Sequence, residues 1–259
     1  CILNRSEPKL EANVISEGET GVIIKDYSKG LLVDNQIMGT SRNAVDIQMH
    51  ANPTLKANRV NDAGQNGIYV HDLGEGTFID NEVFNNALSG IEITSGSCCT
   101  LQNNRVHNGK GAGIVVRDEG HSIIRDCEIF GNVGAGVDVS YLGCPSLIHN
   151  QIHGGYSFGV LFHDKANGTL QSNEIYGNDK DGVCIEMESS PTLSENTVRQ
   201  NKGNGIKVCV GASPLLESNT IAANKEVGLY VCGGGNPKVY DNRIEDGEKQ
   251  GIFISNGAF

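Results

Sequence analysis

Residues 55–70 read LKANRVNDAGQNGIYV and residues 78–93 read FIDNEVFNNALSGIEI, so the same pattern of residue types returns 23 positions later. Its fixed points are an asparagine, followed two residues later by isoleucine or valine, and a glycine that opens a short aliphatic segment. The asparagine recurs at 13, 35, 58, 81, 104, 150, 173, 196, 219 and 242, with Cys127 in the one gap. The glycine recurs every 23 residues from Gly21 to Gly251, with Ala44 once in its place. Self-similarity at a fixed period is typical of a solenoid.

Aliphatic residues fill further columns of the repeat. A leucine, isoleucine, valine or phenylalanine stands three residues before each asparagine position, and an isoleucine or valine stands two residues after it. The segments of the type Gly67-Ile68-Tyr69-Val70 alternate with a period of two, which predicts β-strands with one buried side. Each repeat then supplies three short strands separated by turns. We therefore predict an all-β fold, a right-handed parallel β-helix of about eleven coils of 23 residues with three parallel sheets.

The asparagine column has two predicted roles. Asparagine tolerates the left-handed backbone conformation of a sharp corner, and its amide can donate to one neighbouring coil and accept from the other. A leucine-rich horseshoe is the competing fold at this period, but the repeat has no room for a helix, and glycine and proline mark its turns. We treat residues 1–259 as a single β-helix domain, and we expect it to be a piece of a longer protein.

Charge and hydrophobicity narrow the range of partners. The chain has no tryptophan and a formal net charge of −11. We expect neither a nucleic acid nor a membrane as partner, because nucleic acids and anionic membranes both need a basic surface. The sequence has no run of 18 apolar residues that would span a bilayer. We expect a cytoplasmic or nuclear location, although targeting cannot be read from this sequence.

The eight cysteines form no CxxC motif, so a zinc site is not expected. We favour free thiols in a reducing compartment over disulfides. Cys209 and Cys232 occupy the same register on adjacent coils, within disulfide reach by coil spacing. Two adjacent thiols are the first interpretation of this pair, and a bridge is the second.

An acidic stripe is predicted on the outside of one sheet, because Asp46, Glu92 and Asp138 share the outward position two residues after the glycine. β-Helices that cleave polysaccharides carry acidic residues on such a face, so a glycosidase or lyase is one hypothesis. The three acids lie on alternate coils, about 9–10 Å apart, which is too far for a retaining pair and marginal for an inverting pair. Two residues later the odd coils carry bases, namely Lys25, His71, Arg117 and His163. We therefore favour a cross-coil lattice of opposite charges and predict no catalytic residue.

A column of aspartates precedes glycine-containing turns at Asp26, Asp72, Asp118 and Asp164, with a period of 46 residues. An aspartate at such a position usually accepts N–H bonds within its own turn. One carboxylate per turn is too few for calcium at this coil spacing. We predict neither a metal nor a cofactor.

The 46-residue period distinguishes odd coils, such as Asn58-Arg59-Val60, from even coils, such as Asn81-Glu82-Val83. In its Pro-x-Leu-x-x-Asn-x-[Ile/Val] and Gly-[Ile/Val]-x-[Val/Ile] motifs, the chain resembles the CASH-type parallel β-helix repeats, a pectin-lyase-like solenoid. It is similar to the tandem repeats of the β-helical F-box proteins, over nearly the whole chain. The resemblance implies a region that recruits substrates to an SCF ubiquitin ligase.

The primary hypothesis is therefore a protein-recognition solenoid, either the substrate-binding region of an SCF-type ubiquitin-ligase subunit or a scaffold protein, with no catalytic activity of its own. Exposed apolar residues framed by charges are typical of an interface. The predicted partner-binding face consists of Tyr69, Glu92, Val115, Arg117, Asp138, Leu161 and His163. The alternative hypothesis is a carbohydrate-active or carbohydrate-binding β-helix, similar to a polysaccharide lyase or glycosidase.

Overall fold

The computed structural model describes residues 1–255 and 257–258 and contains 33 short strands, numbered β1 to β33 in chain order. Three successive strands make one coil, and each strand pairs in parallel with the strand three places later. The result is a right-handed parallel β-solenoid of about eleven coils with three parallel sheets, which confirms the predicted fold. Within the described part of the chain, no helix is long and apolar enough to cross a membrane.

Each sheet takes one strand from every coil. The first sheet contains β1 (Lys9–Glu11), β4 (Leu31–Val33), β7 (Thr54–Lys56), β10 (Glu75–Ile79), β13 (Cys98–Gln102), β16 (His121–Arg125), β19 (Ser146–Ile148), β22 (Thr169–Gln171), β25 (Thr192–Ser194), β28 (Leu215–Glu217) and β31 (Lys238–Tyr240). The second contains β2 (Val14–Ser16), β5 (Gln36–Met38), β8 (Arg59–Asn61), β11 (Glu82–Phe84), β14 (Arg105–His107), β17 (Glu128–Phe130), β20 (Gln151–His153), β23 (Glu174–Tyr176), β26 (Thr197–Arg199), β29 (Thr220–Ala222) and β32 (Arg243–Glu245). The third contains β3 (Val22–Ile24), β6 (Val45–Ile47), β9 (Ile68–Val70), β12 (Ile91–Ile93), β15 (Ile114–Val116), β18 (Val137–Val139), β21 (Val160–Phe162), β24 (Val183–Ile185), β27 (Ile206–Val208), β30 (Leu229–Val231) and β33 (Ile252–Ile254).

The core is an aliphatic column enclosed by the three sheets. Most three-residue strands of the first and second sheets bury their central residue, as Leu55 and Val60 show. Strands of the third sheet do the opposite: they bury both outer residues, such as Ile68 and Val70, and turn the central residue outward. The third sheet therefore presents one outward side chain per coil at the middle of each strand.

The predicted asparagine ladder runs between the first and second sheets. The Asn58 side chain donates from Nδ2 to Oδ1 of Asn81 at 3.0 Å and to the carbonyl oxygen of Leu32 at 2.9 Å. The backbone N–H of Asn58 also donates to Asn81 Oδ1, at 2.9 Å. The prediction that the amide links coils on both sides is confirmed. These bonds pair the buried polar groups of one coil with those of the next, and leaving them unpaired would cost stability.

The predicted left-handed conformation of the ladder asparagines is wrong. The left-handed residue is the one before each ladder position, such as Ala57 with a φ of 54° and Asp80 with a φ of 57°. This residue is at the corner, so its side chain points away from the coil axis and any small or polar residue serves there. The asparagine is selected by its hydrogen bonds rather than by its backbone.

A second asparagine ladder lies five residues further along the coil and was not predicted. Asn178 donates from Nδ2 to Oδ1 of Asn201 at 3.0 Å, and Asn201 does the same to Asn224 at 3.0 Å. In the same column, Asn86 and Asn132 accept bonds from backbone N–H groups of the preceding coil. Two of the three corners of many coils are thus held by the same kind of amide contact.

The glycine column exists because of close approach between coils. A Cβ atom on Gly136 would lie 2.7 Å from the carbonyl oxygen of Gly159 and 2.5 Å from Cγ2 of Ile152. Neither Gly136 nor Gly159 has a left-handed backbone conformation. Glycine is therefore required here by the space between one coil and the next, and not by its conformational freedom.

Replacing Cys127 by asparagine should stabilise the solenoid. Cys127 interrupts the first ladder, and the amide of Asn104 reaches only its Sγ, at 3.9 Å. An asparagine there restores amide contacts to both neighbouring coils, and a hydrogen bond is worth about 0.5–1.5 kcal/mol. We expect the free energy of unfolding in urea to rise by about 1–2 kcal/mol. The converse variant Asn81→Cys should lose a similar amount, and a C127N protein no more stable than the parent would contradict the ladder's role.

Gly136→Ala should destabilise the protein by about 1–3 kcal/mol, because the added methyl group overpacks the space below the next coil. Gly251→Ala is the matched control in the same column, since the nearest atom to its added Cβ is Ile244 Cγ2 at 3.7 Å. The control should change the free energy of unfolding by less than about 0.5 kcal/mol. Equal losses in the two variants would show that inter-coil spacing does not select glycine.

Candidate functional site

The outward side chains of the third sheet form one continuous stripe along the solenoid. We call this stripe, together with the residues two positions later in each coil, the third-sheet face. Its central residues, in coil order, are Ile23, Asp46, Tyr69, Glu92, Val115, Asp138, Leu161, Cys184, Lys207, Tyr230 and Phe253. Neighbours in this series are directly paired across adjacent strands, as Asp46 with Tyr69 and Tyr69 with Glu92. The face therefore carries one chemically distinct group per coil.

The structure brings the seven residues of the predicted face together. Tyr69, Glu92, Val115, Asp138 and Leu161 are the central residues of β9, β12, β15, β18 and β21 and lie in register. Arg117 and His163 follow β15 and β21 by one residue, so they border the same stripe. The predicted apolar strip is only partly exposed. Tyr69, Val115 and Leu161 are only half-exposed, and Glu92 is buried, with 9% of its surface exposed.

Ion pairs between adjacent coils cover this face. Each acid on an even coil contacts the base that follows the strand of the next coil. The pairs are Asp46 Oδ1 with His71 Nε2 at 3.2 Å, Glu92 Oε1 with Arg117 Nη2 at 2.7 Å, and Asp138 Oδ1 with His163 Nε2 at 3.1 Å. The predicted lattice of opposite charges is confirmed for these three acids. Lys25 does not take part in the same way, because it follows β3 on the first coil and the third sheet has no strand from an earlier coil to supply an acid.

The contacts of the lattice favour the charged form of its histidines. Burial lowers the pKa of His71, but the hydrogen bond and charge of Asp46, with the charge of Asp72, outweigh it and leave the pKa raised. Burial raises the pKa of Asp46, but the contact with His71 and the hydrogen bonds from Asn43 and Gln48 outweigh burial. The pKa of Asp46 is therefore lowered from its ordinary value of 3.8. Both shifts favour the ionised pair, a carboxylate beside an imidazolium, which places a proton acceptor beside a proton donor.

The last histidine of the lattice is held more strongly in its charged form. The hydrogen bond from His163 to Asp138, together with the second carboxylate of Asp164, outweighs burial and raises the pKa of His163 to about 9. Asp164 lies 2.6 Å from His163 Nδ1, so the imidazolium contacts a carboxylate on each side.

A polar cleft opens beside the Asp46–His71 pair on coils 1 to 3. We call it the polar cleft; its volume is about 680 Å³, and its lining comprises Glu19, Thr20, Ile23, Arg42, Asn43, Asp46, Gln48, Gln65, Tyr69 and His71. Tyr69 stacks on His71 with their ring centroids 4.5 Å apart. The cleft thus combines amide, hydroxyl, carboxylate and cationic groups with one aromatic ring. Such a lining suits a ligand rich in hydroxyl groups.

An exposed apolar ridge runs along the turn after the third sheet, and sequence reasoning missed it. We define the apolar ridge as Tyr27, Met49, Leu73, Tyr141, Leu142, Met187 and Val210, all of them exposed. These residues occupy left-handed turn positions, where Tyr141 has a φ of 47° and Leu142 a φ of 63°. A cleft of about 660 Å³ lies among Tyr141, Leu142, Met187 and Val210. The available signal was an apolar residue in a turn that otherwise carries aspartate or glycine.

Three of the four turn aspartates contact the ion-pair lattice. Asp72 and Asp164 lie beside the histidines that precede them, and Asp118 pairs with Arg117 at 2.8 Å and accepts a bond from Thr94. Across residues 1–255 and 257–258, no group of three or more histidine, cysteine, aspartate or glutamate side chains is placed to hold a metal ion. These aspartates therefore extend the ion-pair lattice toward the apolar ridge.

Comparison with protein families gives one match. The family described as a right handed beta helix region matches residues 1–106, 89–215 and 210–259. The chain therefore belongs to this family. No curated protein matches the chain.

Solved structures with the same architecture include enzymes. A double mutant of the periplasmic alginate epimerase AlgG is 14% identical, with a TM-score of 0.73 over 92% of this chain and 73% of that one. The pectate lyase Pel9A is 14% identical, with a TM-score of 0.68 over 88% and 70% of the two chains. The A-module of the Azotobacter vinelandii mannuronan C-5 epimerase AlgE6 is 17% identical, with a TM-score of 0.68 over 89% and 80%. At these identities the likeness shows the fold.

The predicted protein-recognition function is wrong. The structures just described are alginate and mannuronan epimerases and a pectate lyase, which are carbohydrate-active β-helices, and nothing links the chain to F-box proteins. The motifs behind the F-box resemblance are the asparagine, glycine and aliphatic columns. Those columns are needed for packing between coils in any β-helix. They therefore indicate the fold and give no information on the partner.

Stability should fall with rising pH because of His163. Its folded pKa of about 9 is above the ordinary value of 6.5, so the pair's contribution is complete below pH 6.5 and is lost as the pH passes about 9. We expect this loss to be about 1 kcal/mol, since water screens a partly exposed pair. Urea unfolding between pH 6 and about pH 10 measures it. His163→Gln should flatten that part of the profile, and an unchanged slope in H163Q would contradict the assignment.

Proposed function

We propose that this right-handed β-helix protein is a carbohydrate-active protein that binds a polysaccharide along the third-sheet face, with the polar cleft on coils 1 to 3 as the centre of the site. The observation that carries the proposal is the Asp46–His71 pair, which lines a cleft of about 680 Å³ built almost entirely from hydrogen-bonding side chains. A sugar presents many hydroxyl groups on a thin ring. It therefore needs convergent donors and acceptors and a flat surface to stack on.

Tyr69 offers the flat surface. It is the central residue of β9, half-exposed, and its ring is held in place by stacking on His71. Around it, Asn43 and Gln48 already orient Asp46 by hydrogen bonds to its two carboxylate oxygens at 3.1 and 2.9 Å. The carboxylate is thus fixed before any ligand arrives, which lowers the entropic cost of binding.

The equivalent pair four coils further along lacks these features. Asp138 and His163 repeat the geometry of Asp46 and His71, but their strand neighbours are the aliphatic residues Val115 and Leu161. A hydroxyl-rich ligand finds fewer partners there. This difference between two otherwise matched pairs favours the first pair as the site.

The spacing of the acids argues for proton transfer by the Asp46–His71 pair rather than for glycosidase chemistry with two carboxylates. Successive acids of the stripe lie about 9–10 Å apart, beyond the separation used by retaining glycosidases. An ionised carboxylate beside an imidazolium can instead accept a proton from a bound sugar and return one to it. The epimerases and the lyase with similar folds act on alginate, mannuronan and pectate, as their names state. This parallel supports the carbohydrate proposal.

The test is binding to an array of plant, algal and microbial polysaccharides, followed by incubation of each bound glycan with the protein. New reducing ends report hydrolysis, and NMR of the sugar ring protons reports elimination or epimerisation. We expect binding of at least one polysaccharide. In Tyr69→Ala and Asp46→Asn we expect that affinity to fall about tenfold or more, because a stacking contact and a charge-assisted hydrogen bond are each worth about 1–3 kcal/mol.

Asp138→Asn is the matched control, because it breaks the equivalent pair outside the polar cleft. It should reduce stability in the same way as D46N and leave glycan affinity within about twofold of the parent. Failure to bind any polysaccharide would refute the proposal. Equal losses of affinity in D46N and D138N would indicate that the polysaccharide binds along the whole third-sheet face and is not centred on the polar cleft.

A further inference from the structure

Three cysteines replace the ion-pair lattice at the C-terminal end of the third-sheet face. Cys184 is the central residue of β24, where Asp46 and Asp138 stand on earlier even coils. Cys209 follows β27 at the position that His71 and His163 occupy on earlier odd coils. Cys232 follows β30 at the same position one coil later. Thiols therefore stand where the rest of the face places an acid and its base.

Charged side chains surround these thiols. The carboxylate of Glu186 lies 3.9 Å from Cys184 Sγ and 3.7 Å from Cys209 Sγ. Lys207 is directly paired with Cys184 across adjacent strands and lies two residues before Cys209 in the chain. Cys209 lies on the coil between those of Cys184 and Cys232, so it is the central member of the cluster. Cys184 and Cys209 are buried, and Cys232 is partly exposed.

We propose that Cys209 and Cys232 form a reversible disulfide that joins coils 9 and 10 on exposure to a small-molecule disulfide. The two residues extend the register in which Val208 pairs with Val231, and the backbone N–H of Cys232 donates to the carbonyl of Val208 at 2.9 Å. In-register residues on adjacent coils are about 4.8 Å apart, within the Cα separation that a disulfide spans.

The neighbouring pair Cys184 and Cys209 does not meet this condition. Cys184 is paired in register with Lys207, two residues before Cys209. Such diagonal neighbours have Cα atoms about 7–8 Å apart, beyond the range of an unstrained disulfide. Cys184 is thus not placed to form a bridge with Cys209.

The surroundings also activate Cys209. The hydrogen bond from Cys184 and the positive charge of Lys207 lower the pKa of Cys209 against the opposing effect of burial. The pKa of Cys184 is raised strongly, first by its contact with Cys209 and then by burial, so Cys184 keeps its proton and donates it. Burial raises the pKa of Cys232. The thiolate, the attacking species in disulfide exchange, therefore forms preferentially on Cys209.

The chemistry balances with glutathione disulfide as the oxidant. The partly exposed Cys232 attacks one sulfur of glutathione disulfide, which forms a mixed disulfide and releases one glutathione thiolate that takes up the proton lost by Cys232. The Cys209 thiolate then attacks Cys232 Sγ, breaks the mixed disulfide and releases a second glutathione thiolate, which takes the proton of Cys209. The protein gives up two electrons and two protons, and two molecules of reduced glutathione are formed.

Peptide mapping tests the proposal directly. Trypsin cleavage after Lys180, Arg199, Lys207, Lys225 and Lys238 places the three cysteines on separate peptides, 181–199, 208–225 and 226–238. After incubation of the folded protein with glutathione disulfide and alkylation of free thiols, we expect a cross-link between peptides 208–225 and 226–238. Excess reduced glutathione should reverse it. Cys184→Ala should keep the bridge but slow its formation several-fold, because Cys209 loses a hydrogen-bond donor.

Cys98 and Cys144 provide an internal control. Both are exposed and lie in one column along the first sheet. His121 occupies the coil between them, so the two cysteines are two coils, or about 9–10 Å, apart. They should form mixed disulfides with glutathione and no bridge to each other. A cross-link from peptide 181–199 to 208–225, or only mixed disulfides on Cys232, would overturn the proposal. So would persistence of the cross-link in Cys209→Ser.

Discussion

The hydrogen bond from one coil to the next is the interaction on which this structure depends. A coil of three short strands cannot satisfy its own backbone, so its N–H and C=O groups must pair with the coils on either side. At the corners, where strand pairing stops, the amides of residues such as Asn58 and Asn178 take over the same task. Each unpaired buried group would cost about 1–3 kcal/mol, so eleven coils tolerate few exceptions. Cys127 interrupts the ladder: its N–H still donates to Asn150 Oδ1, but it offers the Asn104 amide only its sulfur, at 3.9 Å.

The same constraint determines how the surface is organised. Coils held in strict register place each side chain directly over the equivalent side chain of the previous coil, so like charges would meet unless the sequence alternates. The 46-residue period supplies that alternation. On the second sheet it produces a continuous stack of rings from even and odd coils, namely Phe84, His107, Phe130, His153 and Tyr176. On the third sheet it produces the ion pairs of Asp46, Glu92 and Asp138. Both patterns stabilise the stacking of the coils, and neither needs a ligand to explain it.

The fold and the lattice could be predicted from the sequence because both are set by residues a fixed number of positions apart. The left-handed corner at Ala57 could not, because backbone geometry there imposes only a small or polar residue. The polar cleft and the cleft within the apolar ridge escaped for a related reason. They arise where side chains of unequal size, such as Tyr69 beside Gln48 or Met187 beside Val210, leave space between coils. Such spaces depend on three-dimensional packing and leave no periodic signal.

The departures from the 46-residue pattern are therefore more informative about function than the pattern itself. Residues that follow it, such as Asp138 and His163, are accounted for by stacking and require no ligand. At one end of the third-sheet face the lattice pair opens onto Tyr69 and a polar cleft. At the other end, Cys184 and Cys209 stand in place of the acid and base, while Glu186 and Lys207 move to the complementary positions. Stacking would be served equally well by another aspartate and histidine. These groups stand on an otherwise regular surface and are not required for stability. Selection for a chemical function is the simplest explanation of their presence.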